Sequence, residues 1–141
     1  MTIQEINRIC RNSFSDHLGI TITAFGGDTI TGKLKIAPVH QQPQGFVHRG
    51  VYLSLAETIA GAGSLLLVHK EDKAALGNSV NSQHLSAARE GELTCTGTLI
   101  YKGIFKHIWD VEITDDSGKL ISVSRVTNSI KSTDTDKESA G

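Results

Sequence analysis

The feature that most constrains this fold is an apolar stretch from Val51 to Val68, in which Glu57 is the only charged residue. Its eighteen residues fall short of the ~20 that a membrane span requires, and three Ser or Thr and two Gly interrupt it. We therefore expect a helix from about Val47 to Val68 that other elements of a soluble domain wrap. Because a buried charge costs several kcal/mol unless it is paired or neutralised, Glu57 is either a structural acid at an internal interface or a catalytic group.

Composition bounds the fold and excludes several classes of partner. The 141 residues predict one domain, and with 5% aromatic residues and 14 Gly its core must consist of aliphatic side chains and close backbone contacts. Fourteen basic and fifteen acidic residues, with no basic stripe, predict no nucleic-acid partner. The first residues do not form a signal peptide, so we expect a cytoplasmic protein without a membrane partner.

The cysteines and histidines show no metal-ligand pattern. Cys10 and Cys95 form no CxxC pair, which is typical of a reducing compartment, and we expect both to be small core residues. The histidines have no ligand spacing with each other or with either cysteine, so no metal site is predicted.

Patterns before the apolar stretch predict a helix, a hairpin and a loop. Thr2 and Glu5 form a capping-box pattern, and apolar residues at helical spacing extend this helix to about Ser13. Period-two alternation on both sides of Gly26-Gly27-Asp28 predicts a β-hairpin. The aperiodic segment 37–46, which contains both prolines, predicts an irregular loop that leads into the long helix.

Patterns after the apolar stretch predict three or four more strands. The residues that share a strand face are Val80/Ser82/His84, Leu93/Cys95/Gly97/Leu99/Tyr101, Trp109/Val111/Ile113 and, with a change of face midway, Ile121/Val123 and Val126/Ile130. Asp115-Asp-Ser-Gly118 predicts a hairpin turn. We expect one domain over residues 1–131 and a polar, disordered tail over 132–141.

This order of elements predicts an α+β fold in which one antiparallel sheet wraps one central helix. A single sheet covers only one side of a helix that is apolar nearly all round. We therefore expect a homo-oligomer in which two sheets pair edge to edge, with a dimer as the minimal unit.

Three polar features lie near the start of this helix: Gln42 in the loop, the triplet His48-Arg49-Gly50, and Glu57 about two turns inside. At ~100° per residue Glu57 is half a turn out of phase with His48, so the two point to opposite sides of one helix. Across a two-fold axis, however, the helix N-terminus of one copy can face the carboxylate of the other. Free N–H donors at a carbonyl oxygen and a carboxylate near its carbon are the arrangement that acyl transfer requires.

Three segments carry a family resemblance: Gln42-Pro-Gln-Gly-Phe-Val-His48-Arg-Gly50, Leu55-Ala-Glu57 and Val80-Asn-Ser-Gln-His84-Leu-Ser-Ala-Ala-Arg89-Glu-Gly91. Over about residues 15–130 the chain resembles the hotdog-fold acyl-CoA thioesterases, of the 4-hydroxybenzoyl-CoA, 1,4-dihydroxy-2-naphthoyl-CoA and phenylacetate-pathway type. The resemblance implies a hotdog fold and an acyl-CoA substrate with an aromatic or medium-sized acyl group. It implies no cofactor, since coenzyme A is part of the substrate, and a dimer that assembles into a tetramer as a dimer of dimers.

The resemblance also implies roles for the residues around the helix start. Glu57 matches the carboxylate that attacks the thioester carbonyl or activates a water. The N–H of Arg49, which precedes Gly50, matches the donor to the thioester oxygen. Gln42 matches the loop amide near the departing sulfur, and His48 matches a histidine that orients the reacting groups.

Further residues match regions that bind the rest of the substrate. The segment with His84, Ser86 and Arg89 matches the region beside the pantetheine arm and the nucleotide of CoA. The acyl pocket beside Glu57 is expected to be lined by Leu53, Thr58, Gly61 and Ala62, together with residues of a partner chain.

Two positions depart from the family pattern and support an alternative function. Arg49 stands where the family usually has Gly, and Gly61 stands one helical turn after the carboxylate, where the resembling enzymes tend to carry Ser or Thr. The alternative is a non-catalytic acyl-CoA binding or sensing module on the same fold. Structural roles also stay open for His48 as a helix cap, for His84 as an interior histidine and for Arg89 in a solvated charge cluster.

Overall fold

A computed structural model describes residues 1–133. In chain order its elements are α1 (Ile3–Ile9), α2 (Phe14–His17), β1 (Ile20–Gly26), β2 (Thr29–Lys35), a 3₁₀ turn (Pro38–His40), α3 (Arg49–Val68), a second 3₁₀ turn (His69–Glu71), β3 (Lys73–His84), β4 (Glu92–Lys102), β5 (Lys106–Thr114) and β6 (Leu120–Ser132). The predicted hairpin, the long helix and four later strands are therefore all present.

The strands form one six-stranded antiparallel sheet in the order β1-β2-β4-β5-β6-β3, and α3 packs against it. The alternation of apolar residues explains this packing: Trp109, Val111 and Ile113 share one face of β5, and all three are buried. β1 and β3 are the two edge strands of the single chain. This architecture confirms the predicted α+β class, with an antiparallel sheet around a long central helix.

The helix and the sheet approach each other closely where glycines replace side chains. A Cβ on Gly63 of α3 would lie 2.6 Å from the indole of Trp109, and one on Gly97 of β4 would lie 3.5 Å from it. The indole is fully buried in the space that these two residues leave. The expected core of aliphatic side chains and close backbone contacts is thus centred on the single tryptophan.

A hydrogen-bonded cluster of polar side chains lies inside this core. Ser64 Oγ of α3 accepts hydrogen bonds from Trp109 Nε1 at 2.9 Å and from Asn128 Nδ2 at 3.0 Å. It also lies 2.8 Å from His107 Nδ1. Because these side chains are buried, their hydrogen bonds offset the loss of water on folding.

The N-terminal helix begins as predicted and ends earlier. The capping box of Thr2 and Glu5 is present at the start of α1. The helix stops at Ile9 because Asn12 adopts a left-handed backbone (φ 63°) and Ser13 caps α2, a short helix that the sequence pattern did not predict.

Irregular pairing changes two of the predicted strand faces. The register of β4 shifts between Leu99 and Tyr101, so Tyr101 is exposed and leaves the face predicted for it. In β6 the change of face occurs at Ile121 and Ser122, which are both buried, rather than midway along the strand.

β6 continues to Ser132, and Thr133 N–H donates to Asp72 O at 3.2 Å, whereas residues 134–141 of the predicted tail lie outside the described part of the chain.

By length and composition alone, the helical segment Arg49–Glu71 is long enough to cross a membrane, but most of it is buried against the sheet.

Candidate active site

One stripe of α3 is not covered by the sheet of its own chain. Its residues are Ser54, Glu57, Thr58, Gly61 and Leu65. They form one wall of a solvent-open cavity of about 700 Å³. This agrees with the expectation that a single sheet covers only one side of the apolar helix.

Glu57 extends from this stripe, and its carboxylate lies against β3. A Cβ on Gly77 would collide with its Oε1, so the absence of a side chain at Gly77 makes room for the carboxylate. Glu57 is exposed, and neither of the two ion pairs found within residues 1–133 involves it. Glu57 is thus not the buried acid that its position in an apolar stretch suggested, and in the single chain its carboxylate is open to a ligand in the cavity.

Apolar residues of α1 and α2 form the opposite wall. Ile6, Ile9 and Phe14 line the cavity, and the last two are 60% and 65% exposed. Cys10 also lines it and is only half-buried, so the expectation of a core residue is wrong for Cys10 and confirmed for the fully buried Cys95.

The cavity lining agrees in part with the acyl pocket predicted from the resemblance. Thr58, Gly61 and Ala62 line it, whereas Leu53 is not among its lining residues. Gly61 is open: a Cβ at this position would have no atom of the described residues within 4 Å. The contribution of the N-terminal helices was missed, because sequence spacing does not show which distant element covers a helix face.

The start of α3 includes a backbone donor, the N–H of Arg49, that has no acceptor among the described residues. His48 is the N-cap, and its Nδ1 accepts a hydrogen bond from Gly50 N–H at 2.8 Å. Val51 N–H donates to His48 O at 2.9 Å, whereas Arg49 N–H has no acceptor within residues 1–133. The imidazole therefore orders the helix start, and Arg49 N–H stays available at the positive end of the helix dipole.

A second cavity of about 420 Å³ adjoins this helix start. It is lined by Gln42, Gln44, Phe46, Val47, Arg49, Tyr52, Ser86 and Ala87. Three predicted site residues thus lie together, namely Gln42, Arg49 and Ser86. The polar groups of the loop, of the helix N-terminus and of the segment after β3 all face this space.

His84 lies behind this cavity against Tyr52. The two ring centroids are 5.6 Å apart, and His84 Nδ1 is 3.0 Å from Ser122 Oγ. Partial burial, and to a lesser degree the charge of Arg49, lowers the pKa of His84. Tyr52 is buried, its hydroxyl accepts a hydrogen bond from Ala88 N–H at 3.2 Å, and burial raises the pKa of its phenol.

Arg89 orders the loop that carries Gln42 and does not line either cavity. Its guanidinium lies 3.8 Å from the ring centre of Phe46, and Nη1 donates to Gln44 O at 3.2 Å. Gln41 Nε2 in turn donates to Arg89 O at 2.7 Å. The side chain remains exposed, so the loop and a ligand can both use its charge.

The single chain does not bring Glu57 together with Gln42 and Arg49. The two cavities share no lining residue, as expected from the half-turn between Glu57 and His48. Each chain therefore carries two half-sites, a carboxylate in a largely apolar cavity and a free N–H donor beside a cavity with a mixed polar and apolar lining. Within residues 1–133 no group of three His, Cys, Asp or Glu side chains is placed to hold a metal ion.

Two further residues of the carboxylate cavity were missed from the sequence. Gly77 gives Glu57 its place on β3, and Asn128 of β6 also lines the cavity. The signal for Asn128 was present: it lies two residues from both Val126 and Ile130, so alternation places a polar side chain on the buried face.

Comparison with known proteins decides the family. The sequence model described as the thioesterase superfamily matches residues 44–122, more than half of the chain. The chain belongs to the thioesterase superfamily. This thioesterase has the predicted hotdog fold, and it is an enzyme that hydrolyses thioesters.

Individual relatives are similar along nearly the whole chain. A protein of Haemophilus influenzae is 40% identical over 92% of this chain and 93% of its own length. A 1,4-dihydroxy-2-naphthoyl-CoA hydrolase of Escherichia coli is 28% identical over 92% of this chain and 95% of its own length. The crystal structure of a thioesterase from Haemophilus influenzae superimposes with a TM-score of 0.89 at 36% identity, covering 94% of this chain and 92% of the other.

Proposed function

We propose that this thioesterase hydrolyses an aromatic or medium-sized acyl-CoA at a site that two copies of the chain build together. The observation that carries the proposal is the position of Glu57. Its carboxylate has no ion-pair partner within residues 1–133 and lies at the wall of a largely apolar cavity of about 700 Å³. A free carboxylate beside apolar walls is suited to attack on an uncharged acyl group.

Arg49 N–H and Glu57 supply the two parts of the chemistry. The N–H of one copy donates to the thioester oxygen, next to Gln42, and withdraws charge from the carbonyl carbon. A water attacks that carbon and gives a proton to Glu57 of the other copy. The carbon–sulfur bond then breaks, and the CoA thiolate takes the proton from Glu57. Direct attack by Glu57, followed by hydrolysis of the acyl-enzyme, is the second route open to the same carboxylate.

A second copy supplies what the single chain lacks. β3 is a twelve-residue edge strand, and its outer hydrogen-bonding groups are suited to pair with the same strand of another copy. Such a dimer extends the sheet and lets the Arg49 half-site of one copy approach the Glu57 half-site of the other. The dimer is the minimal active unit of this proposal, and a tetramer is then a dimer of dimers.

The two cavities divide the substrate between them. The acyl group lies against Ile9 and Phe14, which are exposed apolar side chains that a bound ring or alkyl chain would cover. The CoA arm lies along the cavity at the helix start with Ser86, near His84, and the exposed guanidinium groups of Arg49 and Arg89 are available to its phosphates. The naphthoyl thioester named for the Escherichia coli relative belongs to the same substrate class.

Release of free thiol from a panel of acyl-CoA esters tests the proposal. We expect turnover of aromatic or medium-sized esters, and Glu57→Gln should lower kcat by about a hundredfold or more because it removes the base. Glu112→Gln, which changes an exposed glutamate on β5, is the matched control and should keep full activity. Full turnover by Glu57→Gln, or tight binding of every ester without hydrolysis, would contradict the proposal.

A further inference from the structure

Asn128 is held in one orientation inside the core. It lies in β6 and is fully buried, and its Nδ2 donates to Ala60 O at 3.2 Å and to Ser64 Oγ at 3.0 Å. A backbone carbonyl only accepts hydrogen bonds, so the amide nitrogen must face α3 and the amide oxygen must face away from it. The orientation of this carboxamide is therefore fixed by its neighbours.

Asn128 Oδ1 is a buried acceptor without a partner, and it belongs to a residue that lines the carboxylate cavity. Among the side chains of residues 1–133 it is the one buried nitrogen or oxygen atom without a hydrogen-bond partner. Asn128 lines the same cavity as Glu57. Leaving a buried polar atom unpaired is unfavourable, so an O–H donor that reaches this atom would be bound there.

Glu57 and Asn128 lie side by side across two paired strands. Asn128 is directly opposite Gly77 in the β3–β6 ladder, and a Cβ on Gly77 would collide with Glu57 Oε1, so the carboxylate lies beside Gly77 on the same face of the sheet. Opposed residues of an antiparallel pair have their Cβ atoms about 5 Å apart. One water molecule can bridge two acceptors on such neighbouring positions and donate one hydrogen to each oxygen.

We propose that Asn128 is a positioning residue that holds the hydrolytic water beside Glu57, an inference that rests on the proposed function. The water donates one hydrogen to Asn128 Oδ1 and the other to the Glu57 carboxylate, which leaves its lone pair directed at the thioester carbon. During attack the oxygen–carbon bond forms and the second proton passes to Glu57. The hydrogen bond to Asn128 is kept throughout.

Because Gly61 has no side chain, this position of α3 offers the water no hydrogen-bonding group, and Asn128 of the sheet supplies the acceptor instead. Gly61 lies one turn after Glu57 on the cavity wall. The space above it is free, since a Cβ there would meet no described atom within 4 Å. A hydroxyl placed on the helix at this position would reach the same cavity without a clash.

Steady-state kinetics of Asn128→Ala and of Asn128→Leu, which retains most of the volume, test the proposal. We expect kcat to fall by about a hundredfold because the water loses its alignment, with KM changed less than about threefold because the thioester is bound by other residues. A folded variant with kcat near that of the native enzyme, or with the loss confined to KM, would overturn the proposal.

Rescue separates a role in positioning from a role in stability. Adding Gly61→Ser to Asn128→Ala provides a new hydroxyl for the water and should restore kcat by about tenfold, whereas Gly61→Ala, which adds the methylene alone, should not. Equal effects of the two second substitutions would overturn the proposal.

Two further measurements keep the inference distinguishable from the proposed function. If neither Asn128 variant folds, a high-resolution crystal structure of the native enzyme decides, and a site without water between Asn128 Oδ1 and Glu57 overturns the inference. Glu57→Gln tests the proposed function alone: its inactivity combined with normal kcat in the Asn128 variants would reject the positioning role and keep the thioesterase mechanism.

Discussion

At the scale of single residues, His107 shows how the core determines a protonation state. Ser64 Oγ already accepts hydrogen bonds from Trp109 and Asn128, so its own proton must go to His107 Nδ1 at 2.8 Å. The imidazole therefore accepts at Nδ1 and is neutral. Burial, and to a lesser degree the charge of Lys102, lowers the pKa of His107, in agreement with this hydrogen-bond pattern.

This neutral histidine predicts that the enzyme loses stability in mild acid. Because the pKa of His107 is lower in the folded state than its ordinary value of ~6.5, the unfolded chain binds more protons below that pH. The stabilisation is complete above pH ~6.5 and is lost as the pH falls from there through the folded-state pKa. Urea unfolding between pH 8 and pH 5, at intervals of about half a unit, measures the effect.

The matched variants are His107→Gln, which keeps an acceptor for Ser64 and does not titrate, and His84→Gln. The pKa of His84 is also lowered, but that side chain is only half-buried. Its replacement should therefore change the dependence of the free energy of unfolding on pH less than His107→Gln does. A free energy of unfolding that stays independent of pH in the native protein would contradict the assignment of a neutral His107.

At the scale of elements, two glycines of α3 are expected to respond to substitution in opposite directions. Gly63→Ala places a Cβ 2.6 Å from the Trp109 ring and should destabilise the fold by about 1–3 kcal/mol, because neither the helix nor the indole can move freely. Gly61→Ala meets no neighbour within 4 Å among the described residues and should stabilise it by about 0.5–1 kcal/mol through higher helix propensity.

Urea denaturation of both variants and of the native protein provides the measurement. Both substitutions replace Gly by Ala in the same helix, two residues apart, so both variants gain the same helix propensity. The difference between their free energies of unfolding therefore reports the contact with Trp109. Stabilisation by Gly63→Ala would show that the helix is not held against Trp109 as described.

The sequence was sufficient to predict the elements whose periodicity is undisturbed. The apolar run predicted α3, and the alternation around Trp109 predicted β5. The turns that contain glycine predicted the hairpins. The departures have local causes. α1 ends early because Asn12 takes a left-handed conformation, and Tyr101 leaves its face because an extra residue shifts the register of β4.

The candidate site was less predictable because it depends on contacts between distant segments. Gln42, His48 and Glu57 were found from their local spacing and the family resemblance. Phe14 and Asn128 line the carboxylate cavity only because the N-terminal helices and β6 are adjacent to α3 in space. The exposure of Glu57 was also missed, since hydropathy along a helix does not show which stripe lacks a partner.

At the scale of the whole molecule, the separation of the two half-sites predicts complementation between inactive variants. Glu57→Gln removes the carboxylate. Arg49→Pro removes the free N–H at the first helical position, where proline is tolerated because the preceding His48 is extended. Each variant alone should be inactive as a dimer. In a mixed dimer, one site contains both defects and the other contains neither.

Refolding the two variants together in equal amounts should therefore restore activity. Half of the dimers are mixed and each has one native site of two, so about a quarter of the native activity is expected. Arg49→Ala, which keeps the N–H, should be far more active alone than Arg49→Pro. A mixture as inactive as its components, or a stable active monomer in analytical ultracentrifugation, would show that the site is not shared between copies.

The polar core around Ser64 has a consequence for how α3 packs. A helix that is apolar on nearly all sides can rest on a sheet in several rotations, since hydrophobic contact has little directional preference. Only one rotation brings the Ser64 hydroxyl to Trp109 and Asn128. A shift by one residue, ~100° around the axis, would leave those buried groups unpaired at a cost of roughly 1–3 kcal/mol each. The direction of Glu57, two turns earlier on the same rigid helix, is therefore set by hydrogen bonds made deep within the core.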